Sequence, residues 1–288
     1  MTNRTSGDRD APPSPLVAAA AERDGRMLSL LRGALQTGRA YLAFQPVVDA
    51  ADPRRIHFHE ALFRIRDPSG REVEARHFMP LAEGDPLGRE VDRTALALTL
   101  RELADFPDVR LSVNLSARTI GDAKWMYLLR RELAIRPDLA PRLVVEVTEG
   151  SAPPLPGLAI DVMAELRGAG VRLALDDFGA GHSSLARLQD HRFDVLKIDG
   201  RFVRGIEDGG DSRALVEPML GLARHFGMLA VVERVETAAQ AAALAAMGAD
   251  GLQGHLHGRP TGHPPWRRAA APARFGARAE APPASRAG

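Results

Sequence analysis

Short apolar runs alternate along this chain with longer stretches whose apolar residues recur every three to four positions. Met27 to Leu35 carries the first such helical pattern. Two strand-like runs follow with no helix between them, Tyr41 to Val48 and Ile56 to Ile65. Further short runs are Val109 to Val113, Leu143 to Val147, Val171 to Leu175, Val195 to Ile198, Leu229 to Val232 and Gly251 to Leu252. Helical patterns lie between them, among them Val91 to Leu103, Leu158 to Leu166, Ala214 to His225 and Ala238 to Met247. Strand–helix alternation at this spacing predicts a parallel α/β fold. The paired strands before the first long helix predict an irregular start to a barrel. A single α/β barrel takes about 250 residues, so one barrel with ragged ends uses the 288 available.

The ends break the pattern. Residues 1–24 are polar and contain proline, and are expected to lack order. The domain is then 25–263. From Pro264 the chain turns to Ala, Pro and Arg, with Trp266, Arg267 and Arg268 at its start, and 264–288 reads as a solvated tail.

Composition narrows the class. The net charge of +1 gives no sign of attraction to a nucleic-acid polymer or a membrane surface. Without cysteine there is no disulfide, thiolate metal site or thiol nucleophile, which fits a reducing cytoplasm. No apolar run approaches the roughly 18–20 residues of a membrane span. The Leu16 to Ala21 stretch is too short for a signal-peptide core. A cytoplasmic protein is expected.

Polar residues stand where the apolar runs end. Val109 to Val113 leads into Asn114, Glu146 lies at the end of Leu143 to Val147, and Val171 to Leu175 leads into Asp176 and Asp177. Lys197 lies inside Val195 to Ile198, Leu229 to Val232 leads into Glu233, and Gly251 and Leu252 lead into Gln253. The carboxyl ends of barrel strands open on one face, so these residues are expected to converge there. Asn114 and Asp177 have a second reading as helix N-caps. Glutamate caps less well, so Glu146 and Glu233 call for another reason. Lys197 has a second reading as a buried lysine paired to any nearby carboxylate. Period-two alternation puts Glu60 and Arg64 on one strand face, as a metal and phosphate pair or as a structural ion pair.

Charge helps to decide. Glu60, Glu146, Asp176, Asp177 and Glu233 would share one mouth with one lysine. Each close like-charged pair costs about 4 kcal/mol at roughly 4 Å and an effective dielectric near 20. Such a cluster must protonate or bind cations. Oxygen ligands with no thiolate favour Mg²⁺ or Mn²⁺. Adjacent Asp176 and Asp177 suit a two-metal site, with Gly179 and Gly181 letting the backbone turn behind them. A histidine-based site through His255 and His257 is the competing metal chemistry.

Taken in order, these residues resemble the EAL-domain family of cyclic di-GMP phosphodiesterases over roughly Tyr41 to Pro260. Glu60, Ala61 and Leu62 stand as its name motif, followed by Phe63 and Arg64. Phe44 to Asp49 (FQPVVD) is similar to its first strand; SVNLSA holds Asn114, and EVTE holds Glu146 and Glu149. DDFGAGHSSL begins at Asp176, LKID holds Lys197, VERVET holds Glu233 and Glu236, and QGHLHGRP begins at Gln253.

The resemblance implies a modified TIM-type (β/α)8 barrel with one antiparallel strand, and hydrolysis of cyclic di-GMP to linear pGpG. It implies one metal on Glu60, Asn114, Glu146 and Asp176, with Asp176, Asp177 and Glu233 serving a second metal or the attacking water. Lys197 would orient that water and Gln253 would complete the site. Gln45 and Arg64 would contact the dinucleotide, and Glu149 would anchor the loop after Asp177. The family often forms homodimers, so one is expected here. The resemblance also allows a module that binds cyclic di-GMP or a protein partner without turning it over.

Three positions depart from the family pattern: Arg234 replaces a glycine, and His182 and His255 replace tyrosines. None removes a metal ligand. With Glu233 facing the mouth, strand alternation points Arg234 away from it, with Glu236 as a candidate partner.

Overall fold

The computed structural model describes residues 14–148, 156–180 and 192–269. Its strands are β1 (Ala40–Asp49), β2 (Ile56–Arg66), β3 (Glu72–Glu74), β4 (Leu111–Leu115), β5 (Leu143–Thr148), β6 (Arg172–Phe178), β7 (Val195–Ile198), β8 (Leu229–Val232) and β9 (Gly251–Gln253). Hydrogen bonding runs β1-β9-β8-β7-β6-β5-β4-β2, and β2 closes back on β1. The result is an eight-strand barrel with β3 outside the ring on the edge of β2. Within the ring β1 runs antiparallel to both neighbours, and the other pairings are parallel. This is the expected barrel with one antiparallel strand.

Around it lie α1 (Pro15–Gln36), α2 (Met79–Ala82), α3 (Pro86–Asp105), α4 (Ala123–Ile135), α5 (Pro156–Gly168), α6 (Asp211–Phe226), α7 (Ala238–Met247) and α8 (Pro265–Ala269). Each helical pattern named from the sequence falls inside one of these. Thr237 and Gln240 form a reciprocal capping box that fixes the start of α7, and left-handed Gly248 ends it.

Both ends differ from expectation. α1 begins at Pro15 rather than Met27, because Ser14 accepts a hydrogen bond from the Val17 amide and Pro15 sits at the first helical position. At the other end α8 docks on the barrel wall. Trp266 packs edge-on against Phe44 and His59, with ring centroids 5.2 and 4.6 Å away. Its indole nitrogen donates to Glu102 at 2.7 Å, and Arg267 clamps the same carboxylate through two nitrogens.

The barrel interior is layered, as strand alternation requires. Val47, Phe58, Val144, Ala174, Val195 and Val231 form a buried apolar plug inside the ring. Two residues from each, toward the carboxyl ends of the parallel strands, stand Gln45, Glu60, Glu146, Asp176, Lys197 and Glu233. The intervening residues face outward into the main core beneath the helices, among them Ala61, Val145, Leu175, Leu196 and Val232. The dry plug therefore forms the floor of the polar layer.

Candidate functional site

Lys197 is the centre of the polar layer. Its Nζ lies 2.7 Å from Glu146 Oε2, 2.8 Å from Glu233 Oε1, 3.1 Å from Asp176 Oδ1 and 3.2 Å from Glu60 Oε2. Amides close the ring. Asn114 Nδ2 donates to Glu60 Oε1 at 3.0 Å, and Gln253 Nε2 donates to Glu60 Oε2 at 2.6 Å and to Gln45 Oε1 at 3.2 Å. Gln45 in turn donates to the Gly258 carbonyl at 3.1 Å. Lysine and glutamate lie almost completely out of water here, so these contacts decide their charge states.

Local backbone sets the aim of several groups. Asn114 lies within β4, in register with Glu146 of β5, so it is a strand residue and not a helix cap. At Asp176 and Asp177 the β6–β7 register slips, and Asp177 adopts a left-handed backbone with φ 55°. That bulge breaks alternation, so the two adjacent carboxylates reach the same mouth. A ligand oxygen from each of Asp176, Asp177 and Glu233 lies within 4.8 Å of the others. Gly254 lets the chain after Gln253 close on the segment that follows β8, since a Cβ there would stand 2.0 Å from the Val235 carbonyl oxygen.

The cluster resists full ionisation, as like-charge repulsion requires. Burial, with Glu60 and Asp176 nearby, raises Glu146 well above the carboxylate range despite Lys197. Burial and the same neighbours push Glu233 to about 8, again against the pull of Lys197. Asp177 is raised by burial and by Asp176 and Asp199. For Glu60, burial opposes the charge, but Lys197, Gln253 and Asn114 outweigh it and hold the group below its ordinary value. Burial likewise works against the Lys197 cation, and its carboxylate neighbours overcome it and raise its pKa further.

This donor set fits divalent cations. It offers carboxylates and one amide oxygen, and Glu146 Oε1 is buried with no hydrogen-bond partner. Cations would compete with protons for these carboxylates and offset the charge one lysine leaves unbalanced. Hard oxygen ligands suit Mg²⁺ or Mn²⁺.

Above the cluster opens a cleft of 530 Å³, lined by Gln45, Glu60, Glu233 and Gln253 and rimmed by Arg76, Arg234 and His255. Arg234 does not point away. Its backbone also adopts φ 55°, in the left-handed region, so the alternation rule fails at that residue and the side chain joins the cleft. Glu236 is not its partner and lies instead 3.9 Å from His255 Nδ1. Arg64 is buried beside β3, 3.4 Å from Glu72 and 3.6 Å from Glu74, and does not pair with Glu60. Glu149, Gly181 and His182 lie outside the described residues. Nothing in the sequence singles out Arg76, an isolated arginine in a loop-like stretch, and Asp199, whose charge bears on Asp177, entered only as the last residue of the LKID string, without a role. Only the position of Asp199, one residue beyond the strand that carries Lys197, could have flagged it.

Fold and site together define a closed β/α barrel whose mouth gathers hard oxygen ligands around a buried lysine beneath an open cleft. The chain belongs to the EAL-domain family, whose model, described as EAL domain, matches residues 29–260. It is 32% identical over 238 residues to "Cyclic di-GMP phosphodiesterase PdeF" of Escherichia coli (strain K12), covering 81% of this chain and 32% of that protein. It is 33% identical over 248 residues to "Bifunctional diguanylate cyclase/cyclic di-GMP phosphodiesterase MucR" of Pseudomonas aeruginosa, covering 84% of this chain and 36% of that protein. The chain thus spans about a third of the length of these curated relatives. Among solved structures, "PaMucR Phosphodiesterase, c-di-GMP complex" matches with a TM-score of 0.74 and 31% identity, over 82% of this chain and 97% of that one. The FimX EAL domain from Pseudomonas aeruginosa bound to c-di-GMP matches with a TM-score of 0.75 and 25% identity, over 82% and 97%. No helix among the described residues is long and apolar enough to cross a membrane.

Proposed function

We propose that this domain hydrolyses cyclic di-GMP to linear pGpG with Mg²⁺ or Mn²⁺, in the cytoplasm. The supporting observation is the ring of carboxylates around Lys197 at the base of an open cleft. Glu60, Asn114, Glu146 and Asp176 would hold one ion, and Asp176, Asp177 and Glu233 a second. Bound there, such ions supply water with its pKa lowered from 15.7 toward about 7 and neutralise charge on both sides of an in-line displacement.

The chain's own groups do the positioning. Lys197 donates toward the oxygens of the carboxylate ring and is placed to orient a water among them. Glu233, in the ring and on the cleft wall, would take up its proton once it has itself lost the one it favours without metal. Gln253 fixes Glu60 through Nε2, and its Oε1 is buried with no hydrogen-bond partner. Gln45 sits beside it on the cleft wall. Arg64, already buried between the acids of β3, and Glu149 keep the roles proposed from the resemblance, as does the homodimer.

The test is release of pGpG from cyclic di-GMP by purified protein with Mg²⁺ and with Mn²⁺, followed by chromatography. Formation of pGpG that stops on chelation is the expected result; no turnover with either ion would end the catalytic reading. The second reading, a module that binds the dinucleotide without cleaving it, draws on Arg234, a cation beside Glu233 on the cleft rim. Binding without turnover would select it.

A further inference from the structure

Arg234 is held in a backbone conformation that side-chain-bearing residues rarely adopt, with φ 55°. Room is made for it. A Cβ at Gly200 would stand 2.3, 2.5 and 2.8 Å from Cβ, Cγ and Cδ of Arg234, so the arginine stem lies directly over the bare Gly200 backbone. Its side chain is exposed and lines the cleft. Among the described residues it has no hydrogen bond and no ion pair. Arg76, from the segment after β3, lines the same cleft. Among the described residues it pairs with Glu74 at 3.0 Å, in a pair whose arginine is 72% exposed. Such a surface pair is weak and easily exchanged for a better anion.

The cleft therefore has two electrostatic regions. Glu60 and Glu233 mark an acidic floor that suits cations, and Arg76 and Arg234 supply two cations on a rim that also carries Glu236, which lies 3.9 Å from His255. A cyclic dinucleotide carries two phosphodiester anions. The one at the floor can be neutralised by cations bound there. The other would remain near an acidic cluster unless the protein met it with positive charge, and a guanidinium is suited to a phosphate's paired oxygens.

We propose that Arg76 and Arg234 form a subsite for the phosphate that is not cleaved, and so select a ligand with two phosphodiesters over one with a single phosphodiester. This deepens the hydrolase reading and rests on it for the identity of the ligand. The strain at Arg234 and the opening at Gly200 then have one explanation, which is to hold a cation over the cleft, where its charge also bears on Asp177.

The experiment titrates cyclic di-GMP and the single-phosphate dinucleotide GpG into the full chain by calorimetry, with Ca²⁺ present and ligand integrity checked. Wild type is compared with Arg76→Ala, Arg234→Gly and Arg234→Lys, and pGpG formation in Mg²⁺ is followed on the same preparations. Arg76→Ala and Arg234→Gly should each weaken cyclic di-GMP binding about tenfold and GpG binding by less than about twofold. Arg234→Lys should restore most of the loss. Equal losses for the two ligands, or no loss for cyclic di-GMP, would overturn the subsite. Absence of pGpG from wild type with this binding pattern intact would remove the hydrolase reading and keep the subsite. Normal turnover with unchanged affinities in both variants would do the reverse.

Discussion

Lys197 Nζ stands 2.7 Å from Glu146 Oε2, and both side chains are closed off from solvent. The lysine also reaches Glu233, Asp176 and Glu60, so removing it leaves buried carboxylates that must stay protonated or repel one another. Removing one partner of a buried ion pair costs about 3–5 kcal/mol. Lys197→Ala should lower the stability of chelated protein by about that amount, and Mg²⁺ should recover much of it by supplying the missing positive charge. Turnover in Mg²⁺ should fall by about 10² or more, since the variant no longer orients the water. Melting with and without chelator, beside the hydrolysis assay, reads both; near wild-type turnover would remove Lys197 from the mechanism.

Glu60→Ala and Asp176→Asn should each lose most turnover while remaining folded. Glu60 accepts from Asn114, Gln253 and Lys197, so its loss also releases those three side chains. Asp176→Asn keeps the volume and lowers the negative charge beside Asp177 and Glu233. Ca²⁺ should support the reaction poorly in wild type, because its looser coordination organises the oxygens less well. Pre-steady-state and steady-state release of pGpG check these claims. Either variant working at the wild-type rate would show its carboxylate to be dispensable.

The docked α8 should carry measurable stability. Glu102 is buried, and Trp266 and Arg267 are both bonded to its carboxylate. Trp266 also covers Phe44 and His59 on the outer face of the barrel. Trp266→Ala should destabilise by about 1–3 kcal/mol, below the fully buried Trp→Ala range because the residue is only partly buried. Truncation before Pro264 should cost more, since it strips Glu102 of both partners. Urea unfolding would measure both; an unchanged midpoint in either case would mean that α8 contributes nothing to the fold.

The strand-end residues were legible in the sequence because a barrel turns a one-dimensional rule into a shared location. Glu146, Asp176, Lys197, Glu233 and Gln253 each occupy the same level of their own strand, which period-two alternation and run length can reveal. Arg234 was misread for the same reason. Alternation assumes extended backbone, and nothing in the Glu233–Arg234–Val235 string announces a left-handed residue. Asp177 shares that conformation, but there the paired acids and the following glycine gave a clue. Arg64 followed the alternation, yet its partners Glu72 and Glu74 lie on β3, a strand too short to carry a periodic signal. Trp266 was hidden by its surroundings, since an Ala, Pro and Arg composition reads as tail until the pocket between Phe44, His59 and Glu102 is known.

The protons held by the metal-free cluster predict how metal affinity and stability change with pH. Burial and neighbouring carboxylates raise Glu233 to about 8 and Glu146 well above the ordinary range. A carboxylate must lose its proton to bind a cation, so Mg²⁺ or Mn²⁺ competes with protons below about pH 8. Affinity should rise about tenfold per pH unit for each proton displaced. The stability of chelated protein should move the other way. A folded-state pKa above the unfolded value of 4.5 contributes stability at low pH that is lost as pH rises from about 4.5 toward 8. Glu60 has the opposite sign, and its contribution is lost only as pH falls below its ordinary 4.5; Lys197 loses its proton only above 10.5. His59, lowered by burial from 6.5 to about 4, opposes this trend below pH 6.5. Between pH 6.5 and 8, therefore, the melting temperature of chelated protein should fall, and saturating Mg²⁺ should raise it most at the alkaline end. Calorimetric metal titrations and melting curves across that interval test both halves. An affinity independent of pH from 6 to 8 would mean that the cluster is already ionised without metal, with Lys197 and the amides stabilising it unaided.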